Sequence, residues 1–117
     1  MVALARLDNP VRIAEGLKGD LGLSDDELAA ALGISPVFLQ RWRSGIASPG
    51  SIDLRRLEHL AAVSTHLHET FKSPAGARWL RSESRYLGGQ RPLDALLGGK
   101  FDRVEAALEA LDSGIFV

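Results

Sequence analysis

The sequence predicts an all-α fold, and three observations predict it. Apolar residues recur three and four positions apart through most of the chain, helix-start signals made of a capping Ser or Asn stand directly before Pro10, Pro36 and Pro74, and glycines fall where the apolar runs stop. No stretch alternates apolar and polar residues as a half-buried strand does, and there is no internal repeat or low-complexity tract.

Taken in order, residues 1 to 9 carry scattered Val, Leu and Ala without a period and are expected to form a partly ordered arm. Asn9 and Pro10 then set a cap and a first helical position for a helix to about Gly19, with Val11, Ala14 and Leu17 as its buried stripe. Ser24-Asp25-Asp26-Glu27 reads as a capping box opening a second helix, whose inward face is Leu28, Ala31 and Leu32. That helix must stop at Gly33, because Ser35 and Pro36 at once restart another that runs to about Arg43 with Leu39 and Trp42 on its inner side. So short a turn forces a steep crossing, which the small Ala29 accommodates. Ser51 is expected to cap a long helix through Phe71, a spine joining two halves, with Leu54, Leu57, Leu60, Ala61, Ser64, Leu67 and Phe71 spaced by three and four. Ser73-Pro74 repeats the start signal for a short helix holding Arg78, Trp79 and Leu80. Pro92 opens another to about Leu97, Gly98-Gly99 breaks it, and Phe101 to Asp112 forms the last helix, with Gly114 placed to terminate it. Ile115, Phe116 and Val117 follow as an extended apolar tail where polar, frayed residues are usual. A partner is the better candidate than this chain for covering them.

A chain of 117 residues suffices for one compact core, or a small domain with an appended arm. Composition is ordinary for a globular protein, with 45% hydrophobic and 25% charged residues, and no apolar run approaches the roughly 18 residues of a membrane span. Without cysteine there is neither a disulfide framework nor a thiolate metal site, and no basic-then-apolar start marks a secretion signal. A soluble, cytoplasmic protein with no membrane contact is expected. The net charge of -1 excludes a polycation, but charge is unevenly placed: Asp20, Asp25, Asp26 and Glu27 have no base among them, whereas Arg41, Arg43, Arg55 and Arg56 face Asp53 alone. A small DNA reader needs such a local reversal, although a solvated helix face produces the same pattern.

Catalytic and metal signals are weak. His66 and His68 are two apart and point to opposite sides of a helix, so with Glu69 and His59 nearby they still lack the i, i+4 spacing of helical zinc sites. Gly98-Gly99-Lys100 lacks the upstream glycine and the following Ser or Thr of a phosphate loop, and no nucleophile elbow is present. No metal, no cofactor and no enzymatic activity are predicted.

The segment LAAALGISPVFLQRW, residues 28 to 42, resembles a helix-turn-helix module of the Xre-like repressor type through Leu28, Ala29, Leu32, Gly33, Ile34, Leu39 and Trp42. Carried over by position, the resemblance puts DNA contacts on Ser35, Pro36, Val37, Gln40, Arg41 and Ser44; Gln and Arg there suit bidentate bonds to purine edges. A second resemblance covers about Lys72 to Val117. Trp79-Leu80, Leu87-Gly88-Gly89, Pro92-Leu93, the break at Gly99, Val104 and the ending Gly114-Ile115-Phe116-Val117 are similar to the toxin-binding domain of the MbcA/ParS/Xre antitoxins. Glu83-Ser84 departs from the Pro-Asn that relatives carry after the Trp helix.

Together the resemblances imply a helix-turn-helix DNA-binding domain over residues 1–71 and a toxin-binding domain over 72–117. They imply an antitoxin of a type II RES-Xre pair, whose RES-domain toxin depletes NAD and whose antitoxin represses the shared operon. The implied partners are the cognate toxin, operator DNA and a second copy of the chain within a larger complex. Toxin contacts fall on Trp79, Leu87, Gly88, Gly89, Pro92, Leu93, Val104, Gly114, Ile115, Phe116 and Val117. Arg78, Arg81, Arg85 and Arg91 serve either to steer an acidic partner or simply for solubility. The alternative function is a stand-alone helix-turn-helix regulator whose C-terminal arm mediates homodimerisation.

Overall fold

The computed structural model describes residues 9 to 114, and among them are seven helices and no strand. They are α1 (Pro10–Leu21), α2 (Asp25–Leu32), α3 (Pro36–Arg43), α4 (Ser51–Thr70), α5 (Ala75–Leu80), α6 (Pro92–Leu97) and α7 (Phe101–Asp112). The arm expected over residues 1 to 9, but for Asn9, and the tail Ile115 to Val117 lie outside the described residues.

Local chemistry sets most of the boundaries. The Asn9 side chain accepts the Val11 N–H and Pro10 occupies the first helical position, so α1 starts as its sequence requires, but it runs two residues past Gly19 because Leu21 still reaches the core. Val11 is only half-buried, and the buried stripe is Ala14, Leu17 and Leu21. The capping box is complete: Ser24 Oγ accepts the Glu27 N–H at 3.1 Å, and Glu27 Oε1 accepts the Ser24 N–H at 2.9 Å. Gly33 ends α2 at φ 71°, and a Cβ there would run into the Arg56 guanidinium. The left-handed backbone demands glycine, whereas the exposed guanidinium is the movable end of its side chain.

Two expected caps are corrected. Ser51 is the first residue of α4 and Gly50 its cap, because Asp53 Oδ2 accepts the Gly50 N–H at 2.9 Å and fixes the start one position earlier. Ser73 does not cap α5. The helix begins at Ala75 after Pro74, with no side-chain cap bond, and the Ser73-Pro74 peptide is cis.

The spine helix α4 packs against α1, α2, α5 and α7, burying Leu57, Leu60, Val63 and Leu67. At Gly76 of α5 a Cβ would come within 2.7 Å of Leu67 Cγ, so α5 approaches the spine where only glycine fits. One apolar cluster runs from Leu17, Leu28 and Leu39 through Leu60 to Leu93, Leu96, Val104 and Leu108. Residues expected in separate parts are therefore held by the same core, to which each fully buried leucine contributes roughly 2 kcal/mol.

Candidate DNA-reading face and partner-binding surface

Helix α3 separates its two sides sharply. Leu39 and Trp42 are buried and Phe38 meets the Trp42 ring edge-on at 5.8 Å, which anchors the helix to the bundle. The Trp42 Nε1–H is buried and has no acceptor among the described residues. Ser35, Pro36, Val37, Gln40, Arg41 and Ser44 are all exposed; helical spacing puts Pro36, Val37, Gln40, Arg41 and Ser44 on one face opposite Leu39 and Trp42, and Ser35 adjoins it at the N-cap. Ser35 Oγ accepts the Phe38 N–H at 3.1 Å, which leaves its proton to donate outward, whereas Ser44 Oγ spends its proton on the Gln40 carbonyl at 3.1 Å and keeps lone pairs to accept. The face thus offers a donor, an acceptor, an amide and a guanidinium along two turns.

The charge reading changes at Arg43. Its Nε bonds Glu15 and its Nη2 bonds Asp25 Oδ1 at 2.8 Å, with Lys18 Nζ on the same oxygen at 2.7 Å. Arg43 consequently braces α3 against α1 and α2 and is not a basic group of the open face. Its hydrogen bond, followed by that of Lys18, holds the Asp25 carboxyl well below the usual range, and the two acids raise Arg43 in turn. Arg56 leans over the turn, donating to the Leu32 carbonyl at 3.3 Å. Arg41 and Arg55 stay exposed, and so do the large apolar Ile46 and Ile52 beside them in sequence.

The second surface divides the expected contact residues. Leu87, Pro92, Leu93 and Val104 are buried, Leu93 and Val104 to 1% and 0% exposure, so they shape the surface from beneath. Gly88, Gly89 and Gly114 are exposed, and Trp79 is half-buried with its ring 5.5 Å from that of Phe71. Ile115, Phe116 and Val117 fall outside the described residues. Trp79, Glu83, Ser84, Arg85, Tyr86, Ala107 and Leu111 line a groove of about 170 Å³. Glu83-Ser84 forms a wall of this groove; Ser84 is buried, its N–H bonding the Gln90 carbonyl at 3.0 Å and its Oγ accepting the Leu87 N–H at 3.4 Å. Sequence reasoning missed Tyr86, the chain's one tyrosine and 42% exposed; an aromatic in a Gly-rich loop was the available signal. Of the four arginines considered for steering, Arg81 is engaged with Glu27 and Arg91 with Asp94, each bidentate, while Arg78 and Arg85 are exposed.

Among the described residues no three His, Asp or Glu side chains converge as a metal site, and no helix is long and apolar enough to cross a membrane. What the fold presents is a helix-turn-helix with an exposed side on α3, built onto a helical segment that carries a groove. Residues 13–66 match the helix-turn-helix family, and residues 66–114 match the antitoxin Xre/MbcA/ParS C-terminal toxin-binding domain.

The mycobacterial cidal antitoxin MbcA of Mycobacterium bovis and of Mycobacterium tuberculosis is 32% identical over 97 residues, covering 83% of this chain and 86% of the relative. A probable mycobacterial cidal antitoxin of M. tuberculosis is 29% identical over 116 residues, 99% of this chain and 98% of its own. The crystal structure of the M. tuberculosis MbcT-MbcA toxin-antitoxin complex contains a chain that superposes with a TM-score of 0.71 at 29% identity, covering 95% of this chain and all of that one. The chain belongs to the MbcA family of antitoxins.

Proposed function

We propose that this chain is an antitoxin that binds a RES-domain, NAD-depleting toxin, obstructs its active site by bulk, and represses the operon encoding both. The observation that carries the reading is the join itself: a helix-turn-helix segment and a toxin-binding segment on one shared core, similar along 95% of the chain to a protein from a toxin-antitoxin complex. Inhibition is steric and the chain is not an enzyme. It acts in the cytoplasm, as a homodimer on DNA and within a larger assembly with its toxin.

DNA contacts are assigned to Ser35, Pro36, Val37, Gln40, Arg41 and Ser44, supported by their common exposure on α3. Toxin contacts are assigned to Trp79, Gly88, Gly89, Gly114 and the tail Ile115 to Val117, with Leu87, Pro92, Leu93 and Val104 holding that surface in shape. The test is co-expression with the product of the neighbouring gene, purification of the complex, and an assay of cellular NAD. Loss of NAD that this chain prevents is the expected result. Deleting residues 115–117 should abolish protection, and full protection by the truncated chain would remove the tail from the interface.

A further inference from the structure

A polar clasp joins the C-terminal part of α4 to α7, and neither the exposed side of α3 nor the groove uses it. His66 of α4 lies between two carboxylates of α7, its Nδ1 2.8 Å from Glu105 Oε1 and its Nε2 2.8 Å from Asp112 Oδ2. Thr70, one turn further along α4, donates its Oγ1–H to the other oxygen of Asp112 at 3.0 Å. Both oxygens of Asp112 are thus held from the spine. We propose that His66 is a positioning residue for toxin binding: with Thr70 it fixes Asp112, and so holds the last turn of α7, up to Gly114, in the form that toxin binding requires. This deepens the antitoxin reading and rests on it.

Three features support the inference. Glu105 and Asp112 stand seven positions apart on one face of α7, about 10 Å in rise, and a ring inserted between them is the means by which one cation serves both. Both ring nitrogens facing carboxylate oxygens require both to be donors, which only the imidazolium provides. Finally, Asp112 is the last residue of α7, where a negative charge opposes the helix dipole and the last turn carries no base to offset it. Alone, Asp112 would loosen the end of its helix. Held by His66 and Thr70, it pins that end two residues before Gly114, whose φ of 73° turns the chain out of the helix.

The experiment uses the full chain and the toxin encoded beside it. Toxin affinity and amide hydrogen exchange over residues 109 to 114 are measured for wild type, His66→Ala, Asp112→Ala and the double variant. Each single variant is expected to bind toxin roughly tenfold more weakly, to exchange faster in the last turn of α7, and to lose little more when combined. His66→Gln, which keeps one donor in a similar volume, should recover part of the affinity, and it replaces the alanine variant if that one unfolds. Faster exchange with unchanged toxin affinity makes the clasp merely structural and overturns the proposal, as do fully additive losses. A wild-type chain that does not bind the toxin overturns the antitoxin reading itself, whatever the exchange shows.

Discussion

Arg81 closes on Glu27 with both terminal nitrogens, Nη2 at 2.7 Å from Oε1 and Nη1 at 3.1 Å from Oε2, and Nη2 also donates to the Gly22 carbonyl at 2.8 Å. The same Glu27 carboxylate accepts the Ser24 N–H and completes the cap of α2. One side chain therefore finishes a local motif and ties it to the end of α5, 54 positions away. The Arg81 bonds come first among the causes that hold Glu27 below the usual carboxylate range, and the Ser24 N–H adds to them.

Removing the two ends of this contact should have unequal effects. Arg81 is 42% exposed, so solvent screens the pair and Arg81→Ala should cost only about 0.5–1 kcal/mol. Glu27→Ala removes the reciprocal half of the cap as well and should cost about 1–2 kcal/mol. Denaturant midpoints decide it. Equal losses would mean that the cap bond contributes nothing beyond the bridge.

Gly33→Ala tests the turn of the helix-turn-helix. The substitution strains a left-handed backbone and must also push aside the exposed guanidinium of Arg56, so a loss of about 1–2 kcal/mol, most of it from the backbone, is expected. Truncating the arginine in Arg56→Ala should return part of that loss when the two are combined, because the steric share is relieved and the backbone share is not. A combined loss equal to the sum of the single losses would put the whole cost in the backbone.

How legible each feature was depends on the distance over which its physics acts. The capping box at Ser24, the stop at Gly33 and the restart at Ser35-Pro36 are local, since each depends on groups within a few residues, and they stand as the sequence requires. The start of α4 was misread because two local signals competed there, and the Asp53 carboxylate prevailed over the Ser51 hydroxyl. The exposed face of α3 was legible from the burial of Leu39 and Trp42 alone. Arg43 was not: its partners Glu15 and Asp25 come from two other helices, and helical spacing carries no information about them. His66 shows the same limit, for the spacing rules spoke to metal geometry among neighbouring histidines and were silent on carboxylates 39 and 46 positions away.

The clasp at His66 makes stability depend on pH in a defined sense. Burial opposes its charge, but the hydrogen bonds to Asp112 and Glu105 outweigh that and raise its pKa above the ordinary 6.5. A raised folded pKa means that its stabilisation is complete below about pH 6.5 and is lost as pH rises through the folded value. Asp112 is held below its ordinary 3.8, first by His66 and then by Thr70, so its share is present above that value and lost as pH falls through the folded one. The contribution of the clasp is therefore greatest between about pH 4 and 6.5. Unfolding midpoints measured from pH 6 to 8.5 should fall for wild type and fall less for His66→Gln. Parallel slopes would show that the imidazolium does not stabilise the fold.

Arg41 and Arg43 are two positions apart on α3 and should fail in different ways. Arg41 is exposed on the reading face, and Arg41→Ala is expected to remove about 1–3 kcal/mol of discrimination between operator and unrelated DNA while leaving thermal unfolding nearly unchanged. Arg43 is turned toward Glu15 and Asp25, so Arg43→Ala takes the cation from Glu15, leaves Asp25 with Lys18 alone, and lowers the unfolding temperature. Any loss of DNA affinity in that variant should then disappear below its unfolding transition, because the reading face itself is intact. Binding isotherms on specific and scrambled duplexes, at one fixed salt concentration, separate the two. If Arg43→Ala relaxes sequence preference at full stability, or Arg41→Ala binds both duplexes as wild type does, the assignment of the two faces of α3 is reversed.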